Sequence, residues 1–267
     1  MSHLLSRPQT PDDIGCIQRI TPQSANWGYV GFEVYTLQPG QTLTQPTEGT
    51  EVCLVLMTGK ADVSTGQETW SDIGERTTIF EQQPPYAVYV PPRDEYRVTA
   101  RTELELAVSR APAEGKYPAR LIKPEELQYI TRGEGTNERR VCNILFNDIP
   151  AEKLLVVEVF TPNGNWSSYP PHKHDTDAKP NETQLEETYY HRLNPSQGFA
   201  FQRVYTDDRS LDETITVEDK GVVMVPEGYH PVGAPHGYDL YYLNTMAGPE
   251  RTWIFHNDPA HEWMLKS

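Results

Sequence analysis

Eight short runs of β-branched and aromatic residues, each closed by turn residues, set the strongest limit on how this chain can fold. They are WGYVGFEVYTL, EVCLVLMTG, YAVYVPP, LELAVSR, KLLVVEVFTP, GFAFQRVYT, GVVMVPEG and YDLYYLN. Each suits one strand, because β-branched and aromatic side chains pack well on a pleated surface. The 23 prolines and 18 glycines punctuate the spaces between runs and interrupt any helical period. Only KPEELQYI, at 123–130, reads as the opening of a short helix, with Pro124 in its first turn and acids following. Many short strands between Gly/Pro turns make this an all-β chain, a sandwich or a barrel.

The order of elements runs twice. In the first half, LQPGQTLTQPTEGTEVCLVLMTGKADV precedes TIFEQQPPYAVYVPPRDEYRVTA; in the second, FTPNGNWSSYPPHKHD and EETYYHRLNPSQGFAFQRVY precede GVVMVPEGYHPVGAPHGYDLYYLN. Each half has a Pro-containing turn, an acidic residue leading a strand, a hairpin, and a strand ending in Val-Pro. Such self-similarity points to two copies of one β unit. The segment 110–127 reads as the connector, so the expected domains are 1–118 and 119–267.

Composition narrows the function classes. A net charge of −15 argues against nucleic acid or an anionic membrane surface as a partner. No apolar run approaches the roughly 20 residues that span a bilayer, and the opening MSHLLSRPQTPDD lacks the apolar core of a signal peptide. Three cysteines (Cys16, Cys53, Cys142), widely spaced and without a CxxC pair, suit free thiols in a reducing compartment, and the cytoplasm is the expected location.

Seven of the eight histidines lie at or beyond position 172, namely His172, His174, His191, His230, His236, His256 and His261; the first half holds only His3. If the halves share a fold, the chemistry sits in the second copy. The stretch YPPHKHD places His172 and His174 two residues apart. On a strand such residues face the same side about 6.6 Å apart, whereas on a helix they diverge by about 200°. HKH is thus a strand-type ligand pair, with Lys173 facing the other way. Downstream, LEETYYHR offers Glu186 or Glu187, and alternation puts Tyr189 and His191 on the face of Glu187. VPEGYHPVG then supplies His230 after a Pro-x-Gly turn. Three histidines and one carboxylate leave one or two open positions on octahedral manganese, iron or nickel, or a fifth on zinc.

These motifs resemble the cupin superfamily, and the doubled layout resembles a bicupin. More closely, NERRVCNILF, SSYPPHKHD, EETYYHRLNPSQGFAFQRVYTDDRSLDE and VPEGYHPVGAPHGYDLYYLNTMAGPERTW resemble the 5-deoxy-glucuronate isomerase family of inositol catabolism, relatives of the 5-keto-4-deoxyuronate isomerases. The resemblance is dense from about 137 to 263; the first half matches mainly in layout. It implies His172, His174, Glu187 and His230 as ligands of one divalent transition metal, with zinc the first choice ahead of manganese, nickel and iron. Two spacings depart from the cupin pattern. Twelve residues separate His174 from Glu187, which requires an inserted loop at 175–185, and only Tyr229 stands between Gly228 and His230. Glu186 therefore competes with Glu187, and His236 is a weaker alternative to His230. In the first half the corresponding positions are Thr44, Pro46 and Glu51, with no histidine, so that copy is expected to be structural and metal-free.

The resemblance further implies an aldose–ketose isomerase that converts 5-deoxy-D-glucuronate to 5-dehydro-2-deoxy-D-gluconate. Candidates for the proton relay are Tyr189, Glu186, His191 and Tyr229. Candidates to hold the substrate carboxylate are Arg203, Arg139 and Arg140, of which alternation in AFQRVYT favours Arg203. The expected partners are a small uronate substrate and, in solution, further copies of the chain. A cupin does not fix a function. A dioxygenase with the same ligand set and a non-enzymatic sugar-acid-binding bicupin are the alternatives. His256 and His261 read as solvated residues of a polar tail.

Overall fold

The structure, a computed structural model, describes residues 2–266 and is built almost wholly of short strands. The eight runs each carry a strand: Gly31–Leu37, Thr50–Thr58, Ala87–Val90, Leu104–Pro112, Leu155–Thr161, Phe199–Tyr205, Val222–Val225 and Asp239–Ala247. At 123–130 the expected helix is only a three-residue 3-10 turn, Pro124–Glu126, closed by the Glu126 carboxylate accepting the Lys123 N–H at 3.0 Å. Strand pairing then claims the chain from Tyr129.

Two compact units form, and their bounds differ from the expected division at 118/119. One comprises Pro8–Gln128 and Cys142–Val157; the other comprises the chain up to Arg7, Tyr129–Val141, and Glu158 onward. Strand pairing and hydrogen bonds explain the exchange. Leu5–Ser6 joins the second unit by pairing with Val222–Val225, and the Met224 N–H donates to the Leu4 carbonyl at 2.8 Å. Segment 142–157 joins the first because the buried Glu51 carboxylate accepts the N–H groups of Glu152, Lys153 and Leu154 at 2.6–2.7 Å.

In the first unit, a six-stranded sheet runs in the order Arg120–Ile122, Ala87–Val90, Thr50–Thr58, Leu104–Pro112, Gly31–Leu37, Cys16–Ile20. A four-stranded sheet runs Thr42–Pro46, Glu95–Ala100, Ala61–Ser64, Thr69–Ile73. Alternate residues of both sheets (Val52, Leu54, Leu56, Val88, Val90, Leu106 and Val108 with Leu43, Tyr96, Val98, Ala61 and Val63) share one buried cluster. This is the two-residue period of a sandwich core. Truncating a central member such as Leu54 to Ala costs about 2–5 kcal/mol.

The second unit repeats the plan. Five strands of its seven-stranded sheet run Val222–Val225, Glu186–Asn194, Asp239–Ala247, Leu155–Thr161, Arg139–Leu145, in the same order as their counterparts from Ala87–Val90 to Cys16–Ile20. Its four-stranded sheet runs Trp166–Ser167, Val232–Gly233, Phe199–Tyr205, Asp212–Glu218. Glu51 and Glu187 each stand second in a nine-residue strand. Each of these strands pairs with one that ends before a proline, through Val52↔Val90 and Glu187↔Val225. Val52 and not the expected Glu51 therefore holds the place of Glu187, and Glu51 lies on the other strand face. The repeat read in the sequence is therefore a repeat of topology. All three cysteines are buried and free. No helix among the described residues is long and apolar enough to cross a membrane.

Candidate active site

His172 and Lys173 form a two-residue strand paired with His256–Asn257, which takes His256 out of the solvated tail expected for it. The parity argument places Lys173 opposite the two histidines. Its ammonium lies 2.7 Å from Asp175 Oδ1 and 3.3 Å from Glu182. Burial pulls its pKa down, but the Asp175 and Glu182 carboxylates outweigh burial and raise it.

The long insertion folds back so that it does not separate His174 from the glutamates. Glu182 accepts the N–H groups of Asp175 and Thr176 at 2.8 and 3.0 Å, and the Leu185 N–H donates to the His174 carbonyl at 2.8 Å. The His174 Nδ1 in turn bonds the Leu185 carbonyl at 3.1 Å, which turns Nε2 toward the Glu187 Oε2 at 3.1 Å. Glu186, on the opposite face of the strand by alternation, is not part of this contact.

His230 arrives on a turn that requires glycine. Gly228 has φ +88°, and a β-carbon there would stand 2.5 Å from the Tyr205 carbonyl oxygen. The Gly228 N–H donates to Asp175 Oδ2 at 2.8 Å, and its carbonyl accepts from His230 Nδ1 at 2.8 Å. His230 Nε2 then lies 3.3 Å from Glu187 Oε2.

The ligand atoms of His172, His174 and His230 lie within 4.8 Å of one another. Backbone carbonyls of Pro170, Leu185 and Gly228 each take a hydrogen bond from one ring, the orientation expected of metal-binding imidazoles. His230 Nε2 is buried and has no hydrogen-bond partner, a cost that a bound cation would remove. Burial, then the His230 and His174 rings, hold His172 well below its ordinary pKa, which leaves it neutral and able to ligate. Burial alone would raise Glu187, but the adjacent His174 and His230 rings hold it at about 2. Three imidazoles and a carboxylate are the donor set of a divalent transition metal, and these residues fit one. Exposed His236 stands outside the group.

The other candidates divide. The Tyr189 hydroxyl is 2.9 Å from Ser168 Oγ, and its ring lies 5.7 Å from that of His230. Burial, then the Glu187 charge, push this hydroxyl well above its ordinary pKa. His191 sits farther along the same strand face, its Nε2 donating to Gln202 Oε1 at 3.0 Å. Tyr229 donates to Asp207 at 2.8 Å and packs on Tyr205, outside the histidine group. Arg203 grips both oxygens of Asp212 at 2.8 and 2.7 Å, and Arg140 lies over the Tyr129 ring. Of the three arginines only Arg139 lines the cavity of about 510 Å³ into which His172 opens.

Residues outside the sequence reading complete that wall. Arg132, Trp253 and Phe255 line the same cavity, and Ser168 and Tyr242 continue the hydroxyl contacts of Tyr189. The alternation in RTWIF was a weak signal for Trp253 and Phe255. Arg132 lies beside Gly133 in a turn and carried none.

The profile of the family described as KduI/IolB matches residues 4–264. A relative from Geobacillus kaustophilus (strain HTA426), curated under the name 5-deoxy-glucuronate isomerase, is 59% identical over 267 residues, covering 100% of this chain and 97% of the relative. The chain belongs to the KduI/IolB family. A relative of the same name from Bacillus subtilis (strain 168) is 48% identical, with full coverage of both chains. The crystal structure of an IolB-like protein from Salmonella typhimurium LT2 superposes with a TM-score of 0.96 at 52% identity, covering 98% of this chain and 99% of that one. An oxalate decarboxylase of Lactobacillus farciminis superposes with a TM-score of 0.70 at 12% identity, covering 100% of this chain and 91% of that one. That likeness shows the shared fold, and this KduI/IolB-family chain is a bicupin.

Proposed function

We propose that this KduI/IolB-family chain is a metal-dependent isomerase that converts 5-deoxy-D-glucuronate to 5-dehydro-2-deoxy-D-gluconate in inositol catabolism. The observation that carries the reading is the convergence of His172, His174, Glu187 and His230 beside a cavity of about 510 Å³. The name borne by its full-length relatives supplies the substrate. One divalent ion, zinc by preference, would be held by those four residues and would polarise the sugar carbonyl and its neighbouring hydroxyl.

Aldose-to-ketose conversion moves one hydrogen from C2 to C1 and one hydroxyl proton from O2 to O1. A group that gives and takes a proton without a net change of charge suits this relay. Tyr189 is that group: its hydroxyl keeps its proton at neutral pH and joins Ser168 and Tyr242 in a buried hydroxyl chain. Glu187 stays anionic beside it and fixes the His174 and His230 rings. The free, buried thiols accord with work in the cytoplasm.

Elemental analysis of wild type beside His174→Ala, coupled to an isomerisation assay, tests the reading. One equivalent of transition metal and turnover are expected in wild type, and loss of both in the variant. Retained metal with retained turnover in the variant would overturn the site. Oxygen consumption without isomerisation by wild type would replace the activity with a dioxygenase.

A further inference from the structure

We infer that Arg132 and Arg139 together bind the carboxylate of the substrate, so that the sugar acid lies with its carbonyl end at His172 and its acid end at the two arginines. The inference deepens the isomerase reading and rests on it for the substrate's identity. Both guanidiniums line the cavity that His172 also lines. The chain has 38 acidic against 23 basic residues, so carboxylates are plentiful as partners for half-buried arginines. Arg19, Arg110, Arg192 and Arg203 each lie within 3.3 Å of an Asp or Glu oxygen. Arg132 and Arg139 have no such partner among the described residues. Arg139 bonds only the Asn137 carbonyl, at 3.0 Å, and Arg132 lies over the Trp253 ring at 5.6 Å. Glu134, the one carboxylate lining the cavity, is exposed and pairs with neither.

Each arginine is held in place. Gly133 has φ +78°, and a β-carbon there would come 2.7 Å from Arg139 Nη1, so the glycine makes room for the guanidinium. From Arg132 an aromatic wall runs to the metal-ligand end: Trp253 packs on Phe255 at 4.8 Å between ring centroids, and Phe255 on His172 at 4.9 Å. Burial, together with the Arg132 charge, lowers the proton affinity of Arg139, a repulsion that an anion between them would relieve. Planar guanidiniums suit a carboxylate bidentately. The arrangement selects open-chain sugar acids whose carboxylate is remote from the carbonyl, and disfavours neutral aldoses.

The test uses the metal-loaded protein and two probes, D-glucuronate and D-glucose, with binding read by calorimetry and turnover of 5-deoxy-D-glucuronate read alongside. Arg132→Ala and Arg139→Ala are each expected to weaken glucuronate binding about 10–100-fold, the loss of one charge-assisted contact. Metal content and the weak affinity for glucose should stay unchanged, and KM should rise more than kcat falls. Arg139→Lys keeps the charge and guards against misfolding; it should recover part of the glucuronate affinity. Unchanged glucuronate affinity in the folded, metal-loaded double variant would overturn the inference while leaving the isomerase reading intact. So would an equal loss for glucuronate and glucose. Arginine-dependent glucuronate binding by a wild type that isomerises nothing would do the reverse.

Discussion

At the scale of single residues, alternation along one strand decides more of this site than any motif. Glu186 and Glu187 are adjacent and both buried, yet only the Glu187 carboxylate reaches His174 and His230. Glu187→Gln is therefore expected to weaken metal retention by more than the about 10–100-fold that losing a mere support of a ligand costs, while Glu186→Gln keeps it; metal stoichiometry after dialysis against a mild chelator reads the difference. The reverse ranking would sink the assignment. His191, on the same face, serves the fold. It is wholly buried, and burial, only partly opposed by its bond to Gln202, holds its pKa at about 4. An unfolded histidine titrates near 6.5. The unfolded chain thus binds the extra proton first, and stability present above about pH 6.5 is lost as pH falls toward 4, by about 3 kcal/mol. Urea melts of wild type and His191→Gln between pH 7.5 and 4.5, both treated with chelator, should show the steeper acid loss in wild type. Parallel slopes would exclude His191 as the cause. The histidine pair was legible in sequence, because period-two geometry is local; the choice between Glu186 and Glu187 was left open there, because the insertion at 175–185 hides the register. The fate of Arg203 was not: its strand face was read correctly, but the cross-strand Asp212 that occupies it comes from another hairpin arm.

At the scale of elements, two turns bring the ligands together, and loops carry no period from which to read them. The insertion at 175–185 looked like an obstacle to a cupin site, yet Glu182 and Asp175 bind it down, and Asp175 reaches the turn that carries His230. That turn depends on Gly228. Gly228→Ala combines the cost of an L-residue at positive φ, about 1–2 kcal/mol, with a clash against the Tyr205 carbonyl. The His230 ring bonds the carbonyl of residue 228, so the displaced turn should move the ligand. The expected outcome is a lower denaturation midpoint together with at least about tenfold weaker metal binding. Gly40→Ala is the control: φ is +84°, but nothing lies within 4 Å of the added carbon. It should cost about 1 kcal/mol and retain metal. Equal metal loss in both variants would mean that general destabilisation, and not the placement of His230, is being measured. Arg132 and its glycine neighbour belong to the same class of feature, since only the folded 132–139 turn brings that residue to the cavity.

At the scale of the whole molecule, the duplication sets the acidic start of one strand to two tasks on its two faces. The two-copy layout was visible in the order of runs; the bounds were not, because pairing partners of 1–7 and 142–157 lie far away in sequence. Glu51 and Glu187 each stand second in their strands and both are buried, but they lie on opposite faces: Val52 pairs with the valine before Pro91 as Glu187 pairs with the one before Pro226. Glu187 faces two imidazoles. Glu51 instead accepts three backbone N–H groups, from Glu152, Lys153 and Leu154, and the Tyr89 hydroxyl at 2.9 Å. In the first unit the carboxylate thus satisfies the backbone of a segment that would otherwise leave buried donors unmet, which makes it a structural residue. Glu51→Gln can accept with only one oxygen and brings two new donors into a site crowded with donors. A cost of about 3 kcal/mol or more is expected, the range for leaving buried charged-group contacts unmade. Glu187→Gln should differ by losing metal, which Glu51→Gln keeps. Denaturant titration in chelator and metal analysis of the two variants side by side separate the roles. If Glu51→Gln lost metal while keeping its denaturation midpoint, the first copy would have to be counted as part of the catalytic apparatus.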